Sequence, residues 1–305
     1  MSNNKIIKVK TISQFHQLFD LPKPEHPLIS LVDYSLIKIT PENENISWSM
    51  NFYSVSIKRA SNTKFKYGQQ EYDFDEGVMF FIAPGQVLTV TIETASEHSG
   101  WMLLFHPDFL WNTALAKSIK RYDYFDYSVN EALFLSDKEE TIINNVVQNI
   151  KREYHSNIDK FSQNIIISNI ETLLNYAERF YQRQFITRKI SNHQILNRLE
   201  ELLDDYFNNE EVIKTGLPTV QLVAEKLNLS STYLTNLLRV ITGQNTQQHI
   251  HDKLIEKAKE KLSTTNLSVS EIAYELGFEH SQSFSKLFKA KTHLSPIKFR
   301  QSFFK

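Results

Sequence analysis

Val220-Gln221-Leu222-Val223-Ala224-Glu225-Lys226-Leu227, then Asn228-Leu229-Ser230-Ser231, then Thr232-Tyr233-Leu234-Thr235-Asn236-Leu237-Leu238-Arg239 reads as a helix, a tight turn and a second helix. The pattern returns as Val269-Ser270-Glu271-Ile272-Ala273-Tyr274-Glu275-Leu276, Gly277-Phe278-Glu279-His280 and Ser281-Gln282-Ser283-Phe284-Ser285-Lys286-Leu287-Phe288-Lys289. Val220, Ala224 and Leu227 map onto Val269, Ala273 and Leu276 at an offset of 49, whereas Leu234 and Leu238 map onto Phe284 and Phe288 at 50. The second turn therefore carries one extra residue. In each copy the apolar residues fall at i, i+4 and i+7 and make one buried face. A small Ala stands where two helices must approach closely. The second helix of each pair shows short polar side chains outward, the pattern of a helix-turn-helix whose second helix enters the major groove.

Helical hairpins are common, and one copy alone would suit an ordinary helical domain equally well. Here two copies are joined by a further helix, expected over 247–263, and are followed by Leu294-Ser295-Pro296-Ile297-Lys298-Phe299-Arg300. The run from Leu267 to Phe278, with Ser283-Phe284-Ser285-Lys286-Leu287-Phe288-Lys289 and the Ser295-Pro296 step, resembles the signature of the AraC/XylS family of bacterial transcription regulators. The resemblance covers about 212–305. His293 stands where that family usually has Gly, Phe299 where Tyr is usual, and Leu254 where the linking helix often carries Arg.

The resemblance implies roles by position. Thr232, Thr235 and Asn236 in the first unit, and Ser281, Gln282 and Lys286 in the second, would face the bases. Asn or Gln can bond adenine in bidentate fashion, Lys can donate to guanine, and a Thr methyl can touch that of thymine. Arg239, Lys289 and Lys291 are candidates for phosphate contacts, which supply affinity without sequence information. A rigid central helix would hold the two readers roughly 34 Å apart, one turn of DNA. Leu234, Leu238, Ile272, Phe278, Phe284 and Phe288 are core positions. Any single polar residue among the candidates has an equally good reading as an exposed side chain without a role.

Charge is distributed accordingly. The whole chain carries −1, but 13 basic and 7 acidic residues from 212 onward give +6 and leave −7 in the remainder. A basic half joined to an acidic half fits a partner that only one of them meets. The 305 residues allow two domains with separate cores, and the 41% apolar content is ordinary for a globular protein. No apolar run approaches membrane-spanning length, and the N-terminal stretch lacks a signal-peptide pattern, so the expectation is a cytoplasmic protein without a membrane partner. The absence of cysteine excludes disulfides, thiolate metal sites and cysteine nucleophiles, and with them relatives that use a cysteine as methyl acceptor.

Upstream, residues 28–107 are strand-like: Phe52-Tyr53-Ser54-Val55-Ser56-Ile57, Val78-Met79-Phe80-Phe81-Ile82 and Val87-Leu88-Thr89-Val90-Thr91-Ile92 are short, β-branched or aromatic, and divided by Gly and Pro turns. Phe81-Ile82-Ala83-Pro84-Gly85-Gln86 and Gly100-Trp101-Met102-Leu103-Leu104-Phe105-His106-Pro107 resemble the sensory half of AraC-type regulators, a cupin-like β-barrel. A cupin can be an enzyme, but no His-x-His pair precedes residue 212, so neither metal nor cofactor is expected. Phe80, Phe81, Trp101 and Phe105 are the candidate lining of an effector cavity, although aromatic residues on strands often serve the core alone.

Residues 137–184 then read as two helices, with Ser136-Asp137-Lys138-Glu139 as a capping box. By the resemblance the second helix carries a dimer contact through Ile166, Ile170, Leu173 and Leu174, with packing on the chain's own sheet as the alternative reading. The polar, basic stretch 184–192 reads as a linker, and a helix over 194–207 opens the C-terminal part.

The expected architecture is therefore α+β and multidomain. Residues 1–185 form a sensory or dimerisation domain, a cupin-like barrel plus a helical pair. Residues 186–305 form an all-α domain with helix-turn-helix units at about 219–240 and 269–291. The expected function is sequence-specific transcriptional regulation, with double-stranded DNA as partner, a homodimer as the assembly and RNA polymerase as a further partner, either under an effector of unidentified chemistry or independent of any ligand. A cupin-type binder or enzyme with a helical tail is the competing reading.

Overall fold

The computed structural model describes residues 6–37, 47–60, 65–67, 70–72, 77–89, 98–128, 131–156, 159–209 and 211–303. The chain divides into two compact units, Met1–Gln184 and Phe185–Lys305.

The first unit opens with β1 (Ile6–Val9), α1 (Ile12–Leu18) and β2 (Ile29–Asp33), followed by β3 (Ser47–Met50), β4 (Tyr53–Ala60), β5 (Phe65–Tyr67) and β6 (Gln70–Tyr72). Next come β7 (Gly77–Ile82), β8 (Val87–Thr89), β9 (His98–Phe105), the short α2 (Leu115–Ser118) and β10 (Leu133–Leu135), before the long α3 (Asp137–Tyr154) and α4 (Ser162–Thr187). Five strands form an antiparallel sheet in the order β10-β7-β4-β9-β2, and β1, β3 and β8 form a second sheet. Among the described residues no strand closes the two into one ring. The part of the expected strand Val87–Ile92 beyond Thr89 lies outside the described residues.

Cross-strand register sorts the side chains of the larger sheet. Ser56 is opposite Phe80 and Met102, and Ser54 is opposite Ile82 and Leu104, so these share a face. With Val32, that face packs against Val9, Ile12, Phe15, Trp48, Met50 and Phe52 of the smaller sheet and α1. Val55 is opposite Phe81 and Leu103, Ile57 is opposite Trp101, and Tyr53 is opposite Phe105, so these occupy the other face. Helices and a 3-10 turn cover it. Phe81 lies 4.4 Å from Tyr124 between ring centroids, Tyr53 lies 5.1 Å from Phe125, and the Trp101 indole donates to Asn144 Oδ1 at 2.8 Å.

This geometry corrects the expected effector lining. Phe80 points to the opposite face of the sheet from Phe81, Trp101 and Phe105, because side chains alternate along a strand. Phe81 belongs to an aromatic cluster with Tyr124, Phe125 and Tyr181, and Phe105 stacks on Tyr53. The space beside Phe80 and Phe81 amounts to about 10 Å³, room for about one water molecule. These four aromatics are core and framework.

The dimer residues are corrected for the same reason. Ile170, Leu173 and Leu174 are fully buried and Ile166 nearly so, all within a single chain, so the apolar stripe of α4 is already covered by its own unit. The exposed large apolar residues on α4 and just before it are Phe161, Ile165 and Ile186 instead.

The expected linker is also helical for most of its length. α4 runs to Thr187, and α5 (Lys189–Asn208) resumes after a break at Arg188. Gln184 is buried, accepting from Phe134 N–H at 2.8 Å and donating to Ala132 C=O at 3.2 Å. A polar side chain that completes strand hydrogen bonds looks, in sequence, like one that faces water.

The second unit continues with α6 (Glu211–Thr215), α7 (Val220–Lys226), α8 (Ser231–Thr242), α9 (Thr246–Thr264), α10 (Val269–Glu275), α11 (Ser281–Thr292) and α12 (Pro296–Phe303). It holds two apolar clusters. One gathers Leu199, Leu203, Val223, Ala224, Leu227, Leu234, Leu238 and Ile250, and the other Leu254, Ile255, Ala258, Leu262, Ile272, Ala273, Leu276, Phe284 and Phe288. The fold is therefore a sheet-and-helix unit followed by an all-helical one. No described helix is long and apolar enough to cross a membrane.

Candidate nucleic-acid interface

Both helix pairs are built by the same local chemistry. Thr219 caps α7 by accepting from Leu222 N–H at 3.1 Å, and Ser268 caps α10 from Glu271 N–H at 3.2 Å. Each first helix then ends on a left-handed residue, Asn228 (φ 58°) or Gly277 (φ 86°). The next N–H reaches back five residues, Leu229 to Ala224 C=O at 2.9 Å and Phe278 to Ala273 C=O at 3.0 Å. This is the Schellman arrangement, which satisfies carbonyls that would otherwise be orphaned. The extra residue of the second turn follows that point. Ser230 caps α8 by accepting from Tyr233 N–H, whereas His280 makes no side-chain cap to α11.

Gly277 is needed twice over. Its φ is positive, and a Cβ there would lie 2.9 Å from the Gly216 carbonyl carbon and 3.0 Å from Val212 Cγ2. Asn228 has the same dihedral class, which Asn tolerates best among residues with a side chain.

The candidate readers divide by exposure. On α11, Gln282, Lys286 and Lys289 are exposed along one face at helical spacing, with Ser283 beside them. None of Gln282, Lys286 and Lys289 has a polar partner among the described residues. Ser281 is half-buried. Ser283 escaped the sequence reading because nothing separates it from any other helix-surface Ser.

On α8, Arg239 is exposed while Thr232, Thr235 and Asn236 are half-buried. The Thr235 hydroxyl lies 3.0 Å from that of Thr246, which is fully buried in the first turn of α9. Thr235 thus takes part in the packing of α8 on α9. By the repeat offset of 50, Thr232, Asn236 and Arg239 are the counterparts of Gln282, Lys286 and Lys289, and the face is shared.

Much of the basic excess is committed inside the unit. Lys253 and Lys257 of α9 bind Asp204 of α5 at 2.8 and 3.3 Å, and Lys261 binds Glu275 at 2.6 Å. The Lys253 hydrogen bond holds the Asp204 carboxyl below its ordinary range. Arg300 donates to Leu262 and Leu267 carbonyls at 3.2 and 2.6 Å. Lys291, expected at phosphate, has its ammonium 2.7 Å from Asp252 Oδ1. Arg239, Lys286 and Lys289 remain as exposed cations on the two second helices.

With the geometry in view, the likenesses are specific. Residues 223–302 match the model of a helix-turn-helix domain family. The C-terminal unit is an AraC-type helix-turn-helix domain. Over 258 residues the chain is 26% identical to YfiF of Bacillus subtilis (strain 168), an HTH-type transcriptional regulator, covering 82% of this chain and 77% of that one. It is 34% identical to the HTH-type transcriptional activator RhaS of Salmonella paratyphi B over 111 residues, which are 36% of this chain but only 37% of RhaS. A solved C-terminal domain of the two-component response regulator yesN from Fusobacterium nucleatum shares 35% identity at a TM-score of 0.29, covering 33% of this chain and 96% of that domain. The AraC-type domain makes the protein a DNA-binding transcriptional regulator, and its DNA is double-stranded.

Proposed function

We propose that this regulator reads two adjacent major-groove segments, one with α8 and one with α11, and that the unit before it serves sensing or dimerisation. The observation that carries this reading is the shared, repeat-related face of Thr232, Asn236 and Arg239 with Gln282, Lys286 and Lys289. Its exposed cations have no polar partner among the described residues, while Lys253, Lys257, Lys261 and Lys291 pair with carboxylates. Gln282 and Lys286 discriminate bases in this reading, and Arg239 and Lys289 hold phosphate. Control by a small-molecule effector belongs to the first unit. There, a cavity of about 340 Å³ bounded by His26, Leu28, Phe109, Tyr154, Gln163 and Ile166 has the size of a ligand site. A homodimer and a contact with RNA polymerase complete the picture, with no enzymatic step in it.

The test is selection of bound duplexes from a random pool by the full chain at two salt concentrations. The expected result is a motif of two blocks about one helical turn apart. Gln282→Ala relaxes preference at one or two base pairs in the second block, at a cost of about 1–3 kcal/mol. If that variant selects the same motif with the same affinity, α11 does not read through Gln282.

A further inference from the structure

The two apolar clusters of the helical unit meet on α5 and on α9. α9 gives Ile250 to the first cluster and Leu254 and Ile255 to the second. Asp252 stands between them. Its two carboxylate oxygens are used by different halves of the unit. Oδ2 accepts from Gln244 Nε2 at 2.9 Å, and Oδ1 accepts from Lys291 Nζ at 2.7 Å. Gln244 directly follows Gly243, the residue that ends α8, and Lys291 lies in the last turn of α11. The α8 end is further pinned to α9, because the Gln244 N–H donates to Thr242 Oγ1 at 3.2 Å and His249 Nε2 lies 2.9 Å from that same oxygen.

One carboxylate thus ties the C-terminal ends of both second helices to a single point on the helix that joins them. A partly exposed ion pair adds little to stability. Its hydrogen bonds, however, fix direction, and here two of them with different origins converge on one rigid group. The apolar contacts of α9 hold each half to the rod. α5 joins the clusters as well, with Leu199 and Leu203 in the first and Tyr206 and Phe207 in the second, and the groups at the waist add direction to that apolar hold.

We propose that Asp252 is a positioning residue that sets the angle between α8 and α11, and through it the separation between DNA blocks that the regulator accepts. The proposal rests on the reading of α8 and α11 as paired readers of adjacent segments. It also gives Lys291 a function that does not require DNA contact: it carries the second half's orientation to the waist.

The test uses the full chain and the duplex selected by the wild type, with companion duplexes that have one base pair inserted or removed between the blocks and a duplex with one block scrambled. The wild type is expected to lose on the order of tenfold in affinity for each shifted spacing, comparable to one mismatched base pair. Asp252→Ala removes a negative charge near DNA and frees Lys291, so its affinity for all duplexes can rise together. The informative quantity is therefore the ratio between correct and shifted spacing. That ratio is expected to fall below about threefold in Asp252→Ala, and in Lys291→Met and Gln244→Ala part-way, while affinity for the single-block duplex relative to the unshifted one rises. Asp252→Asn, which keeps the shape and one acceptor oxygen, is expected to fall between.

An unchanged spacing ratio in Asp252→Ala overturns the proposal, whatever happens to absolute affinity. So does a Lys291→Met chain that binds every duplex more weakly by one factor, since that marks Lys291 as a phosphate contact. A loss of single-block binding together with a lowered melting temperature would show that Asp252 serves folding, and overturns it as well. If the wild type selects a single block only, the paired-reader reading fails first, and the clamp falls with it.

Discussion

His293 ends α11 with φ 62°, the position that Gly243 occupies at the end of α8 with φ 77°. A side chain in that region costs about 1–2 kcal/mol, part of which Gly returns through the greater freedom of its unfolded chain. His293→Gly is therefore expected to stabilise the helical unit by about 0.5–1 kcal/mol, read from denaturant midpoints. Lys58 presents a different cost. It lies on the inward face of β4, and burial pushes its ammonium down from the ordinary value to about 8. A lysine with a depressed value is released by its proton: between about pH 8 and 10.5 the unfolded chain still binds the proton that the folded chain has lost, so stability rises with pH across that window. Lys58→Met should lack that rise. A melting-temperature series from pH 7 to 10.5 on both chains checks it, and parallel curves would refute it.

At the scale of the element, the helix pairs were legible and the strand faces were not. The pairs follow local rules: a small Ala at the crossing, a left-handed turn residue, a capping Ser or Thr, and apolar residues one turn apart. Each is visible within about ten residues of sequence, and the extra residue of the second turn could be placed by comparing offsets. Gly277 shows how tightly the local rule binds. Gly277→Ala adds both an unfavourable dihedral and a clash with Gly216 and Val212, so a loss of about 3 kcal/mol is expected, measured by chemical denaturation. Asn228→Ala at the matching turn lacks the reported clash and should lose less. The strand Gly77–Ile82 is buried at every position, so no alternation of polar and apolar residues marks which side faces the other sheet and which the helices. That is why Phe80 and Phe81 were grouped in sequence and separated by structure. The apolar stripe of α4 misled in the same way. A helix that packs on its own sheet and one that packs on a second copy carry the same pattern, and only the covering residues distinguish them. Lysines were the third ambiguity. Lys286 and Lys291 look alike in a sequence, and Asp252, which separates their roles, is 39 residues from the one that it binds.

For the whole molecule, the net charge of the C-terminal part overstates what DNA meets. Lys253, Lys257, Lys261 and Lys291 answer to carboxylates of the same unit. Arg239→Ala and Lys289→Ala are each expected to reduce the slope of log affinity against log salt by about 1, and Lys253→Ala to leave it unchanged. Binding titrations at four or five ionic strengths decide this, and a Lys253→Ala chain with a shallower slope would extend the phosphate footprint onto α9. The two apolar clusters strung on α9 have a kinetic consequence besides. On the proposed reading of two grooves, in which each half keeps its own core, one half can let go while the other stays seated. The released half remains at high effective concentration and re-engages before the protein departs. Residence on the promoter then depends on the supply of competing duplex, which can capture the open half and hasten departure.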